Sequence, residues 1–173
     1  MANFRRCSIA ANGAHTVNTG SDVYFENEFK AFRVWNAVWN DIADFQLLND
    51  KLVYGKCYID TIEGARLATE RCQMSLMGIA SDTFGFAVGS GNAASEVPIA
   101  VAGWVLAYVD KDYDPGTPLT NDENGNLTEM TLEEKRNYPE RLIAIYKKPE
   151  PKDSFGVEGK EIQVDGRHWV KVK

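Results

Sequence analysis

From Leu52 to the C-terminus the sequence is cut into short runs of β-branched and aromatic residues separated by turn formers, and that rhythm limits what the chain can fold into. Runs of this kind suit a pleated, half-buried surface. The pattern predicts strands at Leu52 to Ile59, Met74 to Ala80, Phe84 to Val88, Ile99 to Val109, Leu142 to Tyr146, Glu161 to Val164 and His168 to Val172. Turn chemistry agrees. Asp165-Gly166 between two apolar runs is a two-residue hairpin signal, Asn124-Gly125 is a second, and Asp114-Pro115-Gly116 is a tight turn. One helix is signalled by Thr131 with Glu134 three residues on, a capping box, and by Pro139 after the segment; Glu63 to Cys72 holds good helix formers without a clean cap.

A chain of 173 residues has the length of one domain, roughly 100 to 200 residues. Residues 1–23 are polar and small, with little apolar surface to offset their ordering, and read as an N-terminal arm. Residues 24–173 read as a single mainly β domain, a compact strand-rich barrel or clip-like fold with one or two short helices. Its first segment carries Tyr24, Phe25, Phe29, Phe32, Trp35 and Trp39, spaced to fit either a helical stripe or a strand.

Charge and composition narrow the function classes. A net charge of -6 disfavours nucleic acid and anionic membranes as partners, because both require a cationic face. The longest apolar stretch, Val97 to Val109, is too short to span a bilayer. Cys7, Cys57 and Cys72 have no CxxC spacing and read as free thiols. Asp110, Asp112 and Asp114 open like a calcium loop, but Pro115 stands where the loop glycine belongs, so no metal is expected. The glycine-rich run Phe84 to Gly91 lacks the Lys-Ser/Thr pair and the following helix of a phosphate cradle, so no cofactor is expected either. His15 and His168 have no neighbours that make a catalytic pairing specific, and Ser81-Asp82 lacks a surrounding hydrolase motif.

Asn40-Asp-Ile-Ala-Asp-Phe45 carries more chemistry. Asp41 and Asp44 are three residues apart, so a helical turn would bring their carboxylates to one face, close enough for their charges to interact and raise one pKa toward that of a useful general acid or base. Asn40 is a residue type able to attack its own backbone when a neighbour activates it. The bland alternative is a solvated helix start.

The same segment resembles the Asp-Tyr-Ala-Glu-(Tyr/Met) element that opens the C-terminal chaperone and self-processing domain of phage appendage and tail-spike proteins, the peptidase G2 family. Leu76-Met-Gly-Ile-Ala-Ser81 is similar to that family's strand ending in Gly-Val-Val-Ser, and Val97-Pro-Ile-Ala-Val-Ala-Gly-Trp-Val-Leu-Ala107, Asp114-Pro-Gly-Thr-Pro-Leu-Thr120 and Leu142-Ile-Ala-Ile145 resemble a β-rich module at the C-terminal ends of phage tail and fibre proteins. Together they cover roughly residues 35 to 173. The resemblance implies a domain that helps a trimeric fibre assemble and then cuts itself away before the Asp, here the Asn40–Asp41 bond, with Asp41 and Asp44 as the functional acids. Asn40 departs from the family's Ser, Ala or Gly, and Asp44 is one methylene shorter than its Glu.

The leading expectation is therefore a phage or prophage virion structural protein that promotes trimer assembly and attachment, made in the host cytoplasm and partnered by its own copies and other virion proteins. The rival is an active self-cleaving peptidase at Asn40, Asp41 and Asp44. A third reading is a receptor- or glycan-binding tip that stacks sugars on Trp104 or Trp169, unless both rings pack in the core.

Overall fold

A computed structural model of the protein describes residues 40–89, 94–157 and 160–173. The arm expected at 1–23 and the aromatic segment 24–39 lie outside the described residues, as do His15 and Cys7. The elements, in chain order, are β1 (Asp41–Leu47), β2 (Cys57–Ile59), β3 (Arg66–Leu67), β4 (Leu76–Ala80), β5 (Phe84–Val88), β6 (Glu96–Ala107), β7 (Pro118–Asn121), β8 (Leu127–Glu129), α1 (Leu132–Asn137), a 3-10 turn at Pro139–Arg141, β9 (Ala144–Pro149), β10 (Ser154–Val157), β11 (Lys160–Gln163) and β12 (His168–Val172). The domain is mainly β with one short helix, as the run-and-turn rhythm predicts.

The hub is β6. Its sequence, EVPIAVAGWVLA, is almost continuously apolar, as suits a strand with neighbours on both edges, and it is buried along most of its length except at Val101 and Ala102. Its first half pairs antiparallel with β1, from Asp41 opposite Gly103 to Leu47 opposite Glu96, and on the other edge with β4. Its second half pairs with β12. Strand alternation then feeds separate cores. Val105 and Ala107 join Cys57, Ile79, Leu119, Leu127 and Tyr146 in the largest cluster. Val97 and Ile99 join Tyr58, Ala65 and Ala80 in a second, and Leu106 packs with Val164 and Trp169 in a third.

The main sheet follows the order β3-β2-β4-β6-β12-β9-β7-β8, with β1 and β5 branching from β6, and it does not close into a barrel. Its end strands are only two and three residues long, too short to build a closing ladder. Isolated bonds tie β8 and the turn before it to β2 and to the segment after β6 instead: Cys57 N–H donates to the Gly125 carbonyl (2.8 Å), Leu127 N–H to the Tyr108 carbonyl (2.8 Å) and Asp110 N–H to the Leu127 carbonyl (3.0 Å).

Three local expectations change. The helix sketched over Glu63 to Cys72 does not form. Its backbone is taken by distant partners, with Ala65 N–H on Leu47, Ala68 N–H on Cys57 and Cys72 N–H on Asn121. Asp165-Gly166 makes a tight turn with both residues at positive φ, yet β11 and β12 do not pair across it. Both edges of β12 are occupied, by β6 and β9, so β11 pairs with β10. Finally, Asp41 to Leu47 is a strand and not a helical turn. The capping box is as predicted: Thr131 Oγ1 accepts from Glu134 N–H (3.1 Å) and Glu134 Oε2 from Thr131 N–H (2.7 Å). Arg71 then clamps the same Glu134 side chain through two hydrogen bonds (2.8 and 3.0 Å).

Candidate functional site

Asn40 and Asp41 stand where β1 enters the sheet, between β5, which pairs with it in parallel, and β6. The Asn40 peptide is held from both sides: its N–H donates to the Thr83 carbonyl (3.1 Å) and its carbonyl accepts from Trp104 N–H (3.1 Å). Gly103 makes that approach possible. At φ +106° it adopts a conformation that L side chains rarely take, and a methyl group there would overlap the Asn40 carbonyl oxygen and lie 2.8 Å from Asp41 Cα. Asn40 itself is exposed and lines an open pocket of about 230 Å³ with Trp104, Lys147, Lys148, Phe155 and Trp169. The Asn40–Asp41 bond thus marks a boundary, with solvent on the Asn side and the interior on the Asp side.

Asp41 is only 4% exposed. Thr83 Oγ1 donates to its Oδ1 (2.7 Å), and Thr83 Oγ1 in turn lies 3.1 Å from Ser81 Oγ. Its second oxygen, Oδ2, is buried with no hydrogen-bond partner among the described residues. Burial disfavours the charged form and dominates; the Thr83 and Ser81 hydroxyls oppose it, and the nearby Asp82 charge adds to it. The result is a carboxyl pushed up to about 6, a value suited to exchanging protons near neutral pH.

The hydroxyls are set by a three-residue loop, Ser81-Asp82-Thr83, joining β4 to β5. Ser81 N–H donates to the Pro98 carbonyl (2.8 Å) and Thr83 N–H to Ser81 Oγ (2.9 Å). The middle residue is gripped by a buried Arg167, whose Nη1 and Nη2 donate to Asp82 Oδ1 (2.7 Å) and Oδ2 (2.9 Å). Arg167 also donates to the carbonyls of Val164 and Gln163. A side chain at Gly55, itself at φ +80°, would sit 2.6 Å from Arg167 Cδ, so glycine leaves the space that the arginine stem fills.

The sequence-predicted acids are not brought together. Along β1, Asp41 and Ala43 face inward while Ile42 is exposed, and Asp44 is partly exposed, hydrogen-bonded by Gln46 Nε2 (2.6 Å) two residues on. Period-2 alternation places positions 41 and 44 on opposite faces, so the charge acting on Asp41 comes from Asp82. Ser81, Thr83, Asp82, Arg167, Gly103 and Trp104 complete the site, and sequence reasoning did not assign them to it. Of the stacking candidates, Trp169 is buried against Phe155, with ring centroids 4.9 Å apart, and its Nε1 donates to Glu150. Trp104 is half-buried, with Lys147 Nζ 4.0 Å above its ring. Asp110 accepts from Tyr113 and Thr128, and no group of three or more potential metal ligands occurs among the described residues.

No family model matches the chain, and none of the curated proteins matches it significantly. Among solved structures, the chain is similar in fold to the pre-mature bacteriophage phi29 gene product 12, with a TM-score of 0.56 and 13% sequence identity. The match covers 85% of this chain and 23% of that one. The fold is therefore shared with part of a much longer phage protein.

Proposed function

We propose that this chain is a phage virion-associated protein whose β domain promotes assembly of identical copies into a trimer. The observation that carries this reading is the fold shared with a phage gene product over most of the chain. The surface of the β5–β1–β6 sheet supports it. Phe86 stands opposite Ile42 in the parallel pairing, Val88 lies one turn of the pleat along, and Val101 is the extra residue where the β1–β6 register shifts; all four are exposed. Exposed apolar side chains on β1, β5 and β6, with β5 pairing among the described residues only with β1, are costly to leave in water, and a closed ring of copies covers both the side chains and the strand edge. Light scattering on the purified chain is expected to give three times the 19.3 kDa protomer mass. A stable protomer mass at high concentration defeats the trimer reading.

A second reading, self-processing at Asn40–Asp41, is favoured by one specific feature: a buried, under-partnered Asp41 carboxyl attached to the bond in question. The phi29 neighbour was solved in a pre-mature form, which fits a protein that undergoes a later maturation step. Intact mass after prolonged incubation tests it. A fragment beginning at Asp41 is expected, and a chain that stays whole rules it out.

A further inference from the structure

We propose that Asn40 supplies the nucleophile for this cut: its carboxamide Nδ2 attacks its own main-chain carbonyl carbon, closes a five-membered succinimide and expels Asp41 as a new N-terminus. This rests on the self-processing reading above and specifies its chemistry. One C–N bond forms, between Nδ2 and the Asn40 carbonyl carbon, and one breaks, between that carbon and the Asp41 nitrogen. Nδ2 gives up one proton and the departing amine gains one. No water is consumed, so the two fragments together weigh the same as the uncut chain.

Each demand of that step meets a feature of the site. The nucleophile has to turn toward the backbone, and Asn40 is exposed at an open pocket, with no described residue hydrogen-bonding its carboxamide. The carbonyl under attack develops negative charge on its oxygen, and that oxygen already accepts from Trp104 N–H at 3.1 Å, an amide fixed in β6. The leaving nitrogen needs a proton, and the carboxyl of its own residue is buried beside it, with Oδ2 unpartnered among the described residues and a pKa raised to about 6. The commoner fate of asparagine, attack by the following backbone nitrogen on the side-chain amide, requires residue 41 to swing freely. Here Asp41 is locked in β1 between β5 and β6, and the Asn40 N–H is tied to Thr83. Strand geometry thus suppresses the route that leaves the chain intact and leaves open the one that cuts it.

The test is intact-mass spectrometry of the full chain at early and late times, beside Asn40→Ala. The expected N-terminal fragment is one water lighter than its hydrolysed form, and on standing it opens to a mixture of asparagine and isoasparagine ends. Asn40→Ala should slow cutting at least about a hundredfold while leaving the melting temperature unchanged, since the side chain is exposed. A water-added fragment with only an ordinary asparagine end from the earliest times, or Asn40→Ala cutting at the parent rate, overturns the asparagine mechanism while self-processing stands. A parent chain that never cuts overturns both.

Discussion

Asp41 and Asp82 lie within one small region and meet burial in opposite ways. Asp82 receives a bidentate guanidinium from Arg167, which matches two acceptors with two donors. Among the described residues, Asp41 receives one hydroxyl hydrogen bond on one oxygen and none on the other. The first arrangement fixes a loop. The second leaves a carboxyl whose proton is loosely committed, and the loop fixed by the first is what supplies its hydroxyl. A paired acid serves here as scaffold for an under-paired one, a division of labour that mutation can separate.

The largest effect is expected from Arg167→Ala. It strips Asp82 of its partner and removes a buried stem, at a cost of about 3–5 kcal/mol by chemical denaturation. A loss under about 1 kcal/mol means that the pair does not hold the loop, and the contrast between the two acids collapses. Asp41→Asn should act with the opposite sign. The folded state resists ionising Asp41 between its ordinary 3.8 and about 6, so the penalty is absent below that window, grows through it and is complete above it. The variant should gain up to about 3 kcal/mol over the parent at pH 8 and nothing at pH 3. A pH-independent difference between the two chains breaks the reading of Asp41 as a strained acid. Asp44→Asn is the smallest: with Asp44 on the other face of β1, stability should change by no more than about 0.5 kcal/mol at either pH. A pH-dependent change as large as that of Asp41→Asn would return the two residues to a single coupled pair.

What could be read in the sequence follows the range of the interactions involved. Thr131 and Glu134 cap each other across three residues, so the helix start is local and visible. Seven strands after Leu52 show because β-branched and aromatic residues line faces that the sheet buries, whereas β3, β7, β8 and β10, each of two to four residues, are too short to carry such a run. β1 does not show, because one of its inward positions is Asp41, and a buried acid disguises the alternation. The stretch Glu63 to Cys72 misleads for the same reason in reverse: its helix formers lose to backbone partners at Leu47, Cys57 and Asn121. Asp165-Gly166 announces a turn correctly but cannot announce that β12 already has two neighbours. At the site, Asn40 and Asp41 stand out by residue type and resemblance. Thr83, which holds Asp41 from 42 positions away, and Arg167, which reaches Asp82 across 85, carry no local mark. The Ser81-Asp82 dipeptide is visible, and its use becomes apparent only once β4, β5 and β1 are side by side.

The most direct test of Asp41 as a buried, half-partnered acid is a carbon-detected NMR titration of its carboxyl in the uncut full-length chain. The midpoint should fall at about 6. A midpoint at the ordinary 3.8 would mean that the carboxyl is solvated or fully paired, and the contrast with Asp82 would be lost.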